Sequence, residues 1–317
     1  MTYICGTGYC VPPDVITNAD LIARVETTEE WIVSHTGMVE RRRAPEGWDT
    51  SDLGTASVRH ALERSPWSAQ DLDLLICATS TPDSLIPATA SYIGKKLGVD
   101  PVSFDVNAAC SGFVYGLATA RGLMQSMGYE RVALCTAEKY TRVTDYDDRA
   151  TCIFFGDSAA TVLMTPERPQ VGLEVVDILM ENVNEGAECV TTTIGGYFWQ
   201  DGRAVKEYAL RSFERSAKLM LERNDLEPSQ LKAFCGHQAN LRVLEEVGSR
   251  VGVRADQHWH NVEYCGNQGA AGVISAFTTS LDEKSDEVRD GDLFLLTVFG
   301  SGFTTGSALL RRVDSRG

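Results

Sequence analysis

Basic side chains are scarce in this sequence of 317 residues. There are 29 Lys and Arg against 44 Asp and Glu, a formal charge of −15. That balance excludes nucleic acid as an expected partner, because phosphate backbones are bound by basic patches. It argues equally against an anionic membrane surface. It leaves room for a phosphorylated small molecule, which needs only one local cluster of Arg or Lys. Long hydrophobic runs are missing too. No apolar stretch reaches the roughly 18 to 20 residues required to span a bilayer, so no membrane partner is expected. Met1 to Gly6 carry neither a basic n-region nor a long apolar h-region. A secretory leader is therefore not expected, and the cytoplasm is the expected compartment. The nine cysteines include no C-x-x-C pair, which speaks against a disulfide framework, a structural zinc site or any other metal site. Most of them should be small buried hydrophobes.

What is present reads as an ordinary globular chain, 43% hydrophobic and 23% charged, long enough for two domains or one large fused unit. Short apolar runs alternate with helix-like stretches. Leu72 to Thr79, Arg131 to Thr136 and Asp292 to Val298 are predicted buried strands, and the alternation favours a layered α/β fold. A faint internal repeat organises the chain. Leu62-Glu63-Arg64 and Leu72 recur as Leu221-Glu222-Arg223 and Leu231, an offset of 159. Asn107 to Val114 resembles Asn267 to Ile274 at an offset of 160. Two matches at nearly one offset point to a duplicated αβ half, with a first unit over 1–165 and a second over 166–317. Chance similarity of short apolar segments is the alternative. On the duplication reading, a site is expected between the halves, where strand ends and helix starts converge.

Four segments could carry chemistry. Cys110, in Val106 to Phe113, sits where a strand passes through small residues into a helix predicted over Phe113 to Met127. The positive end of the helix dipole lowers a thiol pKa and favours the thiolate nucleophile. A buried cysteine in a tight turn is the plainer alternative. His237, in Cys235 to Arg242, again lies between a strand and a helix, and with only five histidines it is either a base or a satisfied structural residue. Asn267, before Gln268-Gly269, is either a turn residue or a donor to a developing oxyanion. Phe299 to Ser307 holds closely spaced glycines after a strand, which suit either a tight turn or close backbone approach to a ligand.

Together these segments resemble β-ketoacyl-ACP synthase III, the initiating condensing enzyme of bacterial fatty-acid and some polyketide pathways. The resemblance runs through Thr28 to Gly37, Ala109 to Gly112, Asp148 to Thr151, Phe155 to Asp157, Gly236 to Arg242, Gly266-Asn267 and Gly302 to Ser307. It implies a thiolase-like α/β fold, a five-layer αβαβα sandwich of two duplicated halves, usually a homodimer. It implies that Cys110 takes an acyl group from acyl-CoA, and that His237 and Asn267 stabilise the enolate formed when a malonyl thioester loses carbon dioxide. The backbone N–H groups of Cys110 and Gly302 would form the oxyanion hole. Trp31 and Arg149 would sandwich the adenine of coenzyme A, and Arg242 would face the phosphopantetheine entrance. Coenzyme A enters as a thioester substrate, and no cofactor is expected. Thiolases fit less well, since they carry a second catalytic cysteine in the glycine-rich segment that here reads Gly300-Ser301-Gly302. Plant-type chalcone synthases are longer.

Several positions depart from the family pattern. His35 stands where an arginine near the coenzyme A phosphates is common. Glu207 replaces a frequent lysine on the face that meets acyl carrier protein. Gln268-Gly269 replaces Thr-Ser, Thr305 replaces a tryptophan, and Ile86, in a loop expected to reach the partner's pocket, replaces a larger aromatic. The 181–201 stretch looks short, so a reshaped acyl pocket is expected. These changes point to a specialised biosynthetic relative. Two alternatives to condensation stand beside it. One is an acyltransferase that passes the group from Cys110 to an alcohol or amine with His237 as base. The other is a non-catalytic partner subunit, against which the retention of Cys110, His237 and Asn267 counts.

Overall fold

The computed structural model describes residues 1–316. The first half of the chain runs β1 (Tyr3–Cys10), β2 (Asp14–Thr17), α1 (Asn18–Ile22), α2 (Glu29–Thr36), β3 (Glu40–Arg43), α3 (Thr50–Glu63), β4 (Leu74–Ala78), α4 (Thr89–Leu97), β5 (Val102–Val106), α5 (Gly112–Met127), β6 (Val132–Lys139) and β7 (Asp157–Thr165). The second runs β8 (Val171–Asn182), β9 (Val190–Thr192), β10 (Phe198–Gln200), α6 (Gly202–Arg223), β11 (Leu231–Gly236), α7 (Leu241–Val251), α8 (Val262–Cys265), α9 (Ala271–Glu283), β12 (Leu293–Gly300) and β13 (Thr304–Asp314). The three strands expected from apolar runs are β4, β6 and β12.

Nine strands form one ladder in the order β11-β12-β13-β8-β1-β7-β6-β4-β5. Its two wings share one plan. Outward from β1 come antiparallel β7, antiparallel β6 and parallel β4. Outward from β8 come antiparallel β13, antiparallel β12 and parallel β11. Where β5 completes the first wing, the second has only the isolated parallel bridge Phe234–His258. The wings join through just two residue pairs, Tyr3–Glu174 and Ile4–Leu173, so the duplicated halves share a single ladder.

Three apolar cores divide this ladder from its helices, and they make five layers. Leu53, Val58 and Ile93 of α3 and α4 pack on Leu75 and Ala133 of the first wing. Phe113 and Leu117 of α5, with Val273 and Phe277 of α9, fill the space between the wings against Ile76, Leu134 and Leu296. Phe213 and Met220 of α6, with Leu244 of α7, cover Phe234 and Leu295 of the second wing. Successive side chains of a strand face opposite sides. Ile76 therefore enters the central core while Leu75 enters an outer one, which is why β4 is apolar without interruption. The carboxyl ends of β4, β5, β6, β11 and β12 lead into Ser80, Cys110, Tyr140, His237 and Ser301 respectively. In layered α/β folds ligands bind beyond these strand ends.

Candidate active site

Between the wings lies a cavity of about 240 Å³ whose wall includes Cys110, Tyr140, His237, Asn267, Gly300 and Ser301. Residues 110, 237 and 267, far apart in the chain, thus share one chamber. Its approach is apolar, with Phe154, Phe198, Val205, Phe213 and Val243 among the lining residues.

Cys110 occupies a single 3₁₀ turn, Ala109–Ser111, directly before α5. The turn is strained at Ala109, which adopts φ +46° without being glycine, a conformation found disproportionately at functional sites. Gly300 presses against this turn. A Cβ there would meet the amides of Ser111 and Cys110 at 2.9 and 3.0 Å, so only glycine lets the end of β12 pass the helix start. Burial pushes the Cys110 thiol up to about 12, and the nearby Glu138 carboxyl adds to the rise. A hydrogen bond from Tyr140 opposes it. The expectation that the helix start would lower the thiol's pKa is thereby corrected, because desolvation of the charged form outweighs the helix field.

His237 follows β11 and extends its ladder, donating its backbone N–H to Thr297 O at 2.9 Å. Burial pushes its pKa down to about 4, so the imidazole is neutral in the physiological range, and its Nδ1 is buried with no protein partner. Gln238 holds the turn behind it, donating to Gly236 O at 2.6 Å and accepting from the Asn261 amide at 3.0 Å. Asn240 caps α7, accepting the Arg242 amide at 2.8 Å. The His-Gln-Ala-Asn run thus gives the cavity wall His237, Ala239 and Asn240, with Gln238 as the scaffold behind them.

Asn267 is held on both sides. Its amide donates to Phe154 O at 2.8 Å, and its carbonyl accepts from Gly156 at 3.0 Å. Its side-chain Oδ1 accepts from the Gly269 amide at 3.0 Å, which leaves Nδ2 as the group free to donate. Gln268 donates to Asn261 Oδ1 at 3.1 Å and accepts from the Ser158 hydroxyl at 2.5 Å. The departure from the usual Thr-Ser thus places a structural amide under the site.

The other predicted residues fall less uniformly. Gly302, with φ +71°, turns the chain away and is not part of the cavity wall; Gly300 and Ser301 are. Arg242 does not line the cavity either. It pairs with Glu245 at 2.9 Å and donates to Val33 O at 3.2 Å, while Asn240 and Val243 line the wall. Trp31 has two close neighbours. The His35 ring stacks on it at 4.3 Å and the Arg149 guanidinium lies 5.7 Å from its centroid. His35 spends its Nδ1 on Trp31 O at 2.8 Å, so it stacks on the indole where an arginine would reach for phosphate. Ile86 is 85% exposed, Glu207 is exposed on α6, and Thr305 is buried in β13, donating to Glu181 O at 3.3 Å. Tyr140, Ser301 and Glu138 were missed by the sequence reading. The available signal was the polar run Glu138-Lys139-Tyr140 at the end of an apolar strand.

Comparison with known proteins decides the family. The model for 3-oxoacyl-[acyl-carrier-protein (ACP)] synthase III matches residues 104–182, and the model for its C-terminal region matches 221–312. A β-ketoacyl-[acyl-carrier-protein] synthase III from Oleidesulfovibrio alaskensis is 36% identical, with 98% of each chain covered. The chain belongs to the β-ketoacyl-[acyl-carrier-protein] synthase III family. Its fold is accordingly the thiolase-like sandwich, and it is an acyltransferase of the condensing type. The 3-oxoacyl-[acyl-carrier-protein] synthase III of Aquifex aeolicus superposes with a TM-score of 0.93 at 33% identity, covering 98% of this chain and 100% of that one. The priming β-ketosynthase of the R1128 polyketide pathway superposes at 0.90 with 28% identity, covering 99% and 97%. Among the described residues no helix of the enzyme is long and apolar enough to cross a membrane.

Proposed function

We propose that the enzyme loads an acyl group from acyl-CoA onto Cys110 and condenses it with a malonyl thioester by decarboxylation, acting in the cytoplasm without metal or organic cofactor. The observation that carries this reading is the orientation of Asn267. With Oδ1 engaged by Gly269, its Nδ2 is left to donate beside neutral His237, and two uncharged donors suit a developing enolate oxygen. In loading, the Cys110 sulfur attacks the thioester carbonyl, the tetrahedral oxygen is held by the N–H groups of Cys110 and Ser301, and coenzyme A leaves. In the second step the malonyl carboxylate departs as carbon dioxide, and the carbanion attacks the acyl-enzyme. Ser301 takes the place first given to Gly302 because it lines the cavity. The test is intact-protein mass spectrometry with a panel of acyl-CoAs, followed by malonyl-CoA and malonyl carrier protein in separate arms. An enzyme that never releases carbon dioxide, yet acylates an amine or alcohol, overturns condensation in favour of simple transfer.

The charge of −15 and the exposed Glu207 support a specialised pathway. Acyl carrier proteins are acidic, so steering toward an ordinary carrier would be poor. The likeness to a polyketide priming ketosynthase points the same way. Faster turnover with malonyl carrier protein than with malonyl-CoA at low salt would overturn this part.

The acyl-CoA itself we place against Trp31 and Arg149, whose guanidinium and indole can hold the two faces of adenine. Arg149→Ala is expected to raise KM for acyl-CoA about fivefold to tenfold, the loss of roughly 1 kcal/mol of stacking, with kcat nearly unchanged. A collapsed kcat at constant KM would assign Arg149 to scaffolding.

A homodimer completes the proposal. Ile86 is exposed and apart from its own cavity, which supports a role at a partner's. Light scattering is expected to return about twice the 34.6 kDa chain mass; a monomer at micromolar concentration would rule this out.

A further inference from the structure

Exposure tells the mouth of the chamber from its closed end. Gly202 and Lys206, in the first turns of α6, line the cavity and are exposed, and Asn240, which caps α7, lines it half-buried. His237, Asn267, Tyr140 and Phe155 line it fully buried. A thioester arm therefore enters between the starts of α6 and α7 and reaches Cys110 from that side. The acyl group lies on the other side of the thioester carbonyl, so it meets whatever closes the chamber beyond the sulfur. The apolar flank of α6, with Val205, Ala209 and Phe213, is the other surface a chain could lie on, but it borders the entry path that the arms of both substrates must occupy in turn.

The closed end is an aromatic wall. The Tyr140 and Phe155 rings stack face to face with centroids 4.6 Å apart, and Phe198 of β10 sets its ring edgewise against Phe155 at 4.5 Å. Phe198 is fixed in turn by its amide, which donates to Val143 O at 2.8 Å. Tyr140 is held at both ends: its hydroxyl lies 2.9 Å from Ser80 Oγ, and its backbone carbonyl accepts from the Thr144 hydroxyl at 2.8 Å. The edge of its ring fills the place that a Cβ on Gly269 would take. The next residue, Ala270, stands in the same way against Gly112, where an added Cβ would meet the Ala270 methyl at 3.0 Å. Consecutive residues thus back the Tyr140 ring and the helix start that follows Cys110, which sets the ring beside the nucleophile's turn. A ring so enclosed in a close-packed interior does not swing aside. We infer that Tyr140 is the specificity-determining residue for the acyl group: its ring, backed by Phe155, closes the chamber beyond Cys110 and restricts loading to straight acyl groups of about two to four carbons. The inference rests on the proposed loading of Cys110 from acyl-CoA. A longer chain has to displace a stacked and tethered ring, and overfilling a packed site is destabilising.

Intact-protein mass spectrometry reads the rate at which Cys110 is loaded by acetyl-, butyryl-, hexanoyl- and octanoyl-CoA at equal, subsaturating concentrations. In the wild type butyryl-CoA should load at nearly the acetyl rate. Octanoyl-CoA should load at less than about a tenth of it, since even one methylene is worth about tenfold or more in a shaped pocket. Tyr140→Leu should raise the octanoyl-to-acetyl ratio about tenfold, because a smaller side chain leaves room beyond the sulfur. Tyr140→Phe should keep the wild-type ratio, because the ring and not the hydroxyl is the wall. If Tyr140→Leu does not fold, Phe155→Leu takes its place: it removes the backing of the ring and should raise the ratio in the same direction. A wild-type ratio above about a tenth overturns the inference. So does a folded Tyr140→Leu enzyme that loads every acyl-CoA more slowly by one common factor, the mark of a merely structural residue. Failure of the parent reading looks different. No adduct on Cys110 from any acyl-CoA sinks the proposed function, while a loaded Cys110 with a flat chain-length profile sinks only the wall.

Discussion

Cys110→Ala will accept no acyl group from any acyl-CoA, while its ability to decarboxylate malonyl thioesters will survive. The two expectations come from different parts of the cavity. Loading needs a sulfur at the strained turn before α5, where Ala109 at φ +46° presents residue 110 to the chamber. Eight further cysteines exist, but Cys77, Cys135, Cys152, Cys235 and Cys265 are buried in the fold and cannot meet a thioester. Loss of a covalent nucleophile of this kind typically lowers turnover on the order of a millionfold, so condensation should be undetectable. Alanine at position 110 leaves the neutral His237 and the oriented Asn267 amide intact, the two groups proposed to hold the malonyl oxygen. Intact-mass analysis reads the first expectation and carbon dioxide release the second. A full acyl adduct on the variant would show that the nucleophile lies elsewhere.

Asn267→Ala should do the reverse. It keeps the thiol, the helix start and the Cys110 and Ser301 amides, so Cys110 should load at close to the wild-type rate. It removes the Nδ2 donor, and loss of one oxyanion donor costs roughly 3 to 4 kcal/mol, about a hundred- to a thousandfold in rate. Condensation from pre-acylated enzyme should fall by about that factor in single turnover. The backbone of residue 267 is fastened between Phe154 and Gly156, and the side chain bonds only to its own turn, so the substitution should leave the fold in place. His237 is already neutral, its pKa held near 4. The defect should therefore be the same at every pH above about 5, since no charge on the imidazole changes in that range. A transferase that only deprotonates an acceptor would respond oppositely, strongly to His237→Ala and weakly to Asn267→Ala. An Asn267→Ala enzyme with undiminished condensation would remove the amide from the mechanism.

Much of this site was legible in the sequence, and the reason is local. β4, β6 and β12 lie between two apolar cores, so both their faces are apolar and they stand out as unbroken runs. Cys110, His237 and Asn267 each sit where such a run or a helix ends, among small residues, and that pattern is visible without coordinates. The repeat at offsets 159 and 160 pairs β4 with β11 and α5 with α9, because both wings obey one connectivity.

What the sequence left undecided depends on distances between segments. The helix start before Cys110 argued for a lowered thiol pKa; burial, with the nearby Glu138 carboxyl, raises it, because desolvation is a property of everything around the sulfur. Gly302 and Arg242 carry the right residue types, yet a left-handed φ turns one away and Glu245 with the Val33 carbonyl holds the other. Trp31 and His35, four residues apart on α2, stack on one another, so a position expected to reach a phosphate serves an indole. The Glu138–Ser80–Tyr140 contacts join the ends of β4 and β6, which are neighbours only in the sheet. Residue type and local period determined which groups are present; the tertiary fold decided which of them touch, because hydrogen bonds and desolvation act over a few ångströms, whatever the separation along the chain.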